Sequence, residues 1–167
     1  MRFVRLGILA LLPVPAMSAP AVPPLAQPWS WHDAVEAGTV IDIDLIHADV
    51  TVTSATNDAL VRIRPTGESA EAVVFSARST AGSVRIRDTY PTRSPYFTEC
   101  LPPVDERGDY WTYRVPLKVS VAVPRGAQLR IRLKSGAVVI ADGVRVLDAR
   151  TDDGTVTRLP NARQHPD

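Results

Sequence analysis

Between Tyr113 and Val123 the chain reads YRVPLKVSVAV, and every second residue (Tyr113, Val115, Leu117, Val119, Val121, Val123) is apolar or aromatic. A period of two puts these six side chains on one face of an extended strand and scatters them around a helix, so a sheet with one buried face is what this segment can form. The alternation recurs along the chain. Ile41, Ile43 and Leu45 alternate with Asp42 and Asp44, Val50 and Val52 alternate with Thr51 and Thr53, and LVRIRP (60–65), GSVRIRD (82–88) and LRIRLKSG (129–136) repeat it. Pro116 stands on the opposite face of the first run and has no amide to donate, which predicts an edge, a strand start or a bulge there. GESAEAVVFSA (67–77) comes nearest to a helical stripe, but its Ala72–Phe75 core also reads as strand. Hydrophobic residues make up 45% of the chain and aromatics 6%, so the core must be largely aliphatic. The fold class is all-β, rich in β-branched side chains suited to sheets.

The C-terminal strands are interrupted at regular places. In SGAVVIADGVRVLDARTDDGTV (135–156), glycines follow Ser135, Asp142 and Asp153, and a shift of 18 residues lays Arg132, Gly136 and Val138 over Arg150, Gly154 and Val156. Gly136, Gly143 and Gly154 can take the positive φ that sharp turns need, and the polar neighbours can bond the turn backbone. Strands of about five residues joined by such turns predict a β-solenoid or β-helix-like stack of rungs. The alternative is a β-sandwich of hairpins, in which glycine turns recur at similar spacing.

A length of 167 residues suggests one domain. At the N-terminus Arg2 and Arg5 precede an apolar run (Leu6 to Leu12) and then small residues, the order of a secretory signal peptide over 1–18, cleaved at 18/19 or 21/22. The run is too short to span a membrane, and Pro13 and Pro15 oppose a buried helix. Residues 19–28 read as a proline-rich linker, 29–160 as the β domain, 90–110 as an irregular proline-rich loop within it, and 161–167 as a polar tail. This organisation predicts an exported protein of the periplasm, the outer surface or the medium, with no transmembrane segment once the signal is removed. Loss of Arg2 and Arg5 takes the formal charge from +1 to −1, which does not suit a nucleic-acid partner. Cys100 is the single cysteine and cannot form an internal disulfide.

Little in the chain points to catalysis. His32, His47 and His165 are widely separated and have no second cysteine beside them, so no metal ligand set and no cofactor is expected. There is no G-x-S-x-G, P-loop or dinucleotide glycine pattern. Asp42 and Asp44 share a strand face at about 7 Å, a spacing compatible with glycoside hydrolysis, and Asp152–Asp153 lie in a turn. Cations give a stronger signal: Arg62/Arg64, Arg85/Arg87 and Arg130/Arg132 with Lys134 each project from one strand face. Stacked together they would form a guanidinium ladder for bidentate contact with carboxylates or phosphates. Cross-strand pairing with Asp42, Asp44 and Glu71, or a merely solvated face, is the competing reading.

The segments WSWHDAVEAGTVIDIDLIHADVTV (29–52) and VSVAVPRGAQLRIRLKSGAVVIADGVRVLDARTDDGTV (119–156) resemble the bacterial "putative adhesin" family, a domain of unknown function in exported and envelope proteins. The resemblance runs from Trp29 to Leu159. Its motifs are the tryptophans at Trp29 and Trp31, Gly38, the Val123–Gly126 strand end, the Gly136 and Gly154 turns, Tyr90–Pro91 and Cys100–Pro102. Two positions depart from it. His47–Ala48 stands where the family has asparagine–glycine, and Arg87 stands about where relatives carry a second cysteine, so the resemblance implies no disulfide and a looser loop around Cys100. It implies an elongated β fold outside the cytoplasm and assigns no catalytic residue. These readings together predict a non-enzymatic, envelope-associated, adhesin-like module that binds an anionic envelope polysaccharide, or another envelope protein, through the arginine faces. A β-helix enzyme acting on polysaccharide through Asp42 and Asp44, and a structural accessory of a larger envelope assembly, are the alternatives.

Overall fold

The computed structural model describes residues 28–92 and 106–160. The signal and nearly all of the linker, Cys100 and the polar tail with His165 lie outside the described residues. What is described is all-β: eight strands, with 3-10 turns at Ala70–Ala72 and Tyr110–Thr112, and no α-helix among the described residues. The strands are β1 (Trp29–Asp33), β2 (Val40–Ala55), β3 (Ala59–Pro65), β4 (Val74–Thr80), β5 (Ser83–Thr89), β6 (Leu117–Pro124), β7 (Gln128–Ile140) and β8 (Val146–Arg158). Pro116 directly precedes β6, and its carbonyl accepts the amide of Thr66 at 2.9 Å, so the proline marks a strand start.

Everything is organised around β2. One of its edges pairs in parallel with β7 from Val40 to Val52. The other divides between β5, opposite Val40–Asp44, and β6, opposite Ala48–Ala55, again in parallel. Antiparallel neighbours extend each branch, β4 beyond β5 and β3 then β1 beyond β6. The result is a mixed sheet that forks beside β2 and does not close. The burial pattern shows how the fork works. Ile41, Ile43 and Leu45 are buried with the strand's period of two, then Ile46 is buried directly after Leu45, and Ala48, Val50 and Val52 follow in the new phase. A one-residue change of phase turns the strand's buried face, so both arms deliver their aliphatic side chains to a single core cluster. Trp29 of β1 meets Phe75 of β4 with ring centroids 5.8 Å apart, which joins the outer strands of the two arms.

The 18-residue offset is visible in space. β8 lies parallel to β7 with Arg132 opposite Arg150, Gly136 opposite Gly154 and Val138 opposite Val156. The turns expected at Gly136 and Gly154 are instead corners inside continuous strands of 13 residues each, and this corrects the expectation of five-residue strands. A Cβ on Gly136 would lie 2.0 Å from the carbonyl oxygen of Ala48, and one on Gly154 would lie 1.9 Å from that of Gly136. The corners are stacked too closely for any side chain, which is why glycine recurs there. Ala48 begins the stack without positive φ, a conformation that only glycines adopt among the described residues. Gly38 and Gly143 occupy ordinary turns, both with positive φ.

Candidate functional site

The first half of β2, Val40–Asp44, with β5 on one side and β7 on the other, forms the first arm, and its alternation places Asp42 and Asp44 between arginines of both neighbours. Asp42 lies in register with Arg85 and Arg130, and Asp44 with Arg87 and Arg132. Asp42, 3% exposed, accepts Arg85 Nε at 3.0 Å and an Arg132 terminal nitrogen at 2.9 and 3.1 Å on its two oxygens. Asp44 accepts Arg87 at 3.0 Å on one oxygen and Arg107 at 3.1 Å on the other. All four carboxylate oxygens are therefore held by guanidinium groups, and neither acid presents an oxygen unengaged by cation. The proposed ladder is thus a row of alternating charge on this arm. Glu71 takes no part in the ion pairs seen among the described residues.

The seven cations singled out in the sequence fall into two groups. Arg85 and Arg87 on β5 and Arg130, Arg132 and Lys134 on β7 share the first arm, whereas Arg62 and Arg64 lie on β3, in register with Ser120 and Lys118 of β6. A single merged ladder does not form, because β2 separates its neighbours into two branches. A more local concentration does form. A cleft of about 190 Å³ is lined by Arg107, Arg132, Lys134 and Arg150 with Asp44 and Asp152. Arg107 and Arg132 are already engaged there by Asp44, Asp88 and Asp42, and Lys134 and Arg150 are its exposed cations. Lys134 approaches Asp152 at 3.5 Å, and Arg150 approaches Asp148 at 3.8 Å; all four of these side chains are largely exposed, so the pairs are weak. Arg150 was legible from the repeat as the counterpart of Arg132. Arg107 was not, because it sits in the loop where the pattern stops.

Arg107 leads to a second feature that the sequence did not reveal. At the fork Ile46 leaves its ladder, and its amide donates to the carboxylate of fully buried Asp88 at 3.0 Å. Asp88 also accepts the Tyr90 hydroxyl at 3.1 Å and Arg107 at 2.7 Å. Burial pushes the Asp88 carboxyl above its ordinary range, opposed by the Arg107 guanidinium, the Ile46 amide and the Tyr90 hydroxyl. With three donors aimed at it, Asp88 serves as an acceptor that supplies the hydrogen bond missing at the fork. The Tyr90 amide bonds the Arg107 carbonyl at 2.9 Å, and Arg87 pairs with Glu106 at 2.6 Å. Ion pairs and backbone bonds thus hold the base of the 90–110 loop.

A larger groove, of about 530 Å³, opens beyond the corner. His47, Asp49 and Ser135 line it on the strand side, and Tyr110, Trp111 and Tyr113 on the other. His47 Nδ1 lies 2.6 Å from Ser135 Oγ, and burial lowers its pKa against the weaker pull of Asp88, which favours the neutral ring. Asp49 accepts Lys118 at 2.6 Å and the Ala137 amide at 3.1 Å, and these bonds, the lysine first, hold its carboxyl below the usual range. His32 makes only an exposed contact with Asp58 at 3.1 Å. Among the described residues no three side chains are grouped to hold a metal ion, and no helix is long and apolar enough to cross a membrane.

No family model matches the chain, and no curated protein matches it in sequence. Among solved structures it is similar to "a putative cell adhesion protein from Clostridium sporogenes ATCC 15579", at 9% identity and a TM-score of 0.38, over 78% of this chain and 59% of the other. The chain thus spans less than two thirds of that protein, and a likeness of this size carries neither family nor function.

Proposed function

We propose that the protein is an exported, envelope-associated binding module, adhesin-like and without catalytic activity, that takes an anionic polysaccharide across the first arm. The observation that carries this reading is the cleft in which Lys134 and Arg150, 50% and 65% exposed and held only by weak surface pairs, stand beside Arg132. Planar guanidinium groups beside a lysine suit carboxylates or phosphates presented along a polymer. Arg130, on the same outer strand face, extends the positive ground, while Arg85 and Arg87 fix the acids that shape it. Engagement of every oxygen of Asp42 and Asp44 by guanidinium groups favours binding over the hydrolytic alternative, which needs a free proton donor and a free nucleophile or base. Export rests on the signal-like order of residues 1–18.

The test is binding of the purified protein to polygalacturonate and to lipopolysaccharide at low and high salt, beside the double variant Lys134→Ala/Arg150→Ala. These two side chains hold only weak surface pairs, so the variant should fold. Expected is salt-sensitive binding that the variant weakens by about tenfold or more. Salt-independent binding, or no binding by either polymer, contradicts the reading. A structural role in a larger assembly has one observation in its favour, the outer edge of β8, which no other strand pairs among the described residues; co-purification with an envelope protein, without glycan binding, would support it.

A further inference from the structure

We propose that the groove at the corner of β2 and β7 is a second binding site, built for the ring of an uncharged pyranose sugar. It does not rest on the basic cleft. Its volume, about 530 Å³, falls in the range of small-ligand sites. One wall is aromatic. Tyr110 and Trp111 meet edge to face at 5.2 Å, and Tyr113 stacks on buried Tyr90 at 6.0 Å, so these rings are held before any ligand arrives. Their turn is fixed by the Thr112 and Tyr113 amides, which donate to the carbonyls of Asp109 and Tyr110 at 3.0 and 3.1 Å.

The other wall is polar: His47 and Ser135 stand beside Asp49, whose charge Lys118 offsets at 2.6 Å. His47 and Ser135 bond each other, which leaves the second imidazole nitrogen to serve a ligand hydroxyl. An apolar ligand would leave the imidazole nitrogen unsatisfied, at the usual cost of stranded polar groups. An anion would find only Arg114 as a cation lining this groove. A pyranose has the required two-sided chemistry: an axial C–H face to lie on aromatic rings and equatorial hydroxyls to donate and accept at its rim. Lys134 lines the basic cleft and Ser135 lines the groove, so the two sites are neighbours along β7.

The test uses the full protein and uncharged hexasaccharides of β-1,4-glucose, α-1,4-glucose and β-1,4-N-acetylglucosamine, read by calorimetry and tryptophan fluorescence in low and high salt. At least one should bind with an affinity that salt leaves unchanged and with a fluorescence change. Trp111→Ala should weaken it about tenfold or more, Trp111→Phe less, and Lys134→Ala/Arg150→Ala should leave it intact. Should Trp111→Ala fail to fold, Trp111→Phe and His47→Ala carry the same comparison. Binding of none of the three sugars, or sugar binding untouched by changes at Trp111 and His47, overturns the proposal. Loss of acidic-polymer binding in the Lys134/Arg150 variant with neutral-sugar binding kept would show the two sites failing independently.

Discussion

Val138 and Val156 lie opposite each other on neighbouring strands, yet Val138 is fully buried and Val156 is 40% exposed. β7 lies between β2 and β8, whereas among the described residues β8 pairs only with β7. The cross-strand neighbours Ile43, Ile131 and Ala149 show it again, the first two at 0% exposure and Ala149 on β8 only partly buried. An apolar residue on an alternating strand is a bid for burial that its neighbours must accept. The inner strands β2 and β7 contribute to the core, and β8 covers it.

The sharpest way to break that comparison is at the corners. Gly136→Ala places a methyl against the Ala48 carbonyl in a strand confined on both sides, with φ at 117°, and should cost about 3 kcal/mol or more. Gly154→Ala meets an equally close oxygen, but β8 can move outward, so chemical denaturation should show roughly half that loss. Equal losses would mean that β8 is as confined as β7. Next in size, Val138→Ala should cost about 2 kcal/mol and Val156→Ala less than about 1 kcal/mol in the same assay. A large loss at Val156 would reveal a partner on the β8 edge.

The smallest effect expected is one of pH. His47 is held below its ordinary pKa of 6.5 by burial, so the unfolded chain takes up the proton more readily. Its contribution to stability is complete above pH 6.5 and declines as pH falls through the folded value, and thermal melts of His47→Gln should lack this decline. An unchanged slope in the variant would assign the pH dependence to another group.

What the sequence made legible was local. The alternation of Ile41, Ile43 and Leu45 marked β2, and the match of Arg132 with Arg150 anticipated the register of β7 on β8. The corners were misread as turns between short strands, because a glycine needed for close approach of another backbone looks the same in sequence as one needed to reverse the chain. The fork was hidden as well. Its signal, Leu45 beside Ile46, is two adjacent apolar residues, and its remedy, Asp88, lies 42 residues away. Likewise the pairing of Asp42 and Asp44 with Arg85, Arg87 and Arg132 could be named as one possibility, but the choice depended on which strands became neighbours of β2. The aromatic wall came from a 3-10 turn at the end of a loop with no periodicity at all.

The central claim, that the outer side of β7 and β8 before the corner receives an anionic chain, is tested most directly by amide hydrogen exchange. Exchange is followed residue by residue in the free protein and with saturating polygalacturonate oligomer. The account predicts slowed exchange concentrated at residues 130–135 and 148–153, with the inner strand β2 already slow and unchanged. Unchanged exchange in those segments, or protection that appears on β3 and β6 instead, would contradict it.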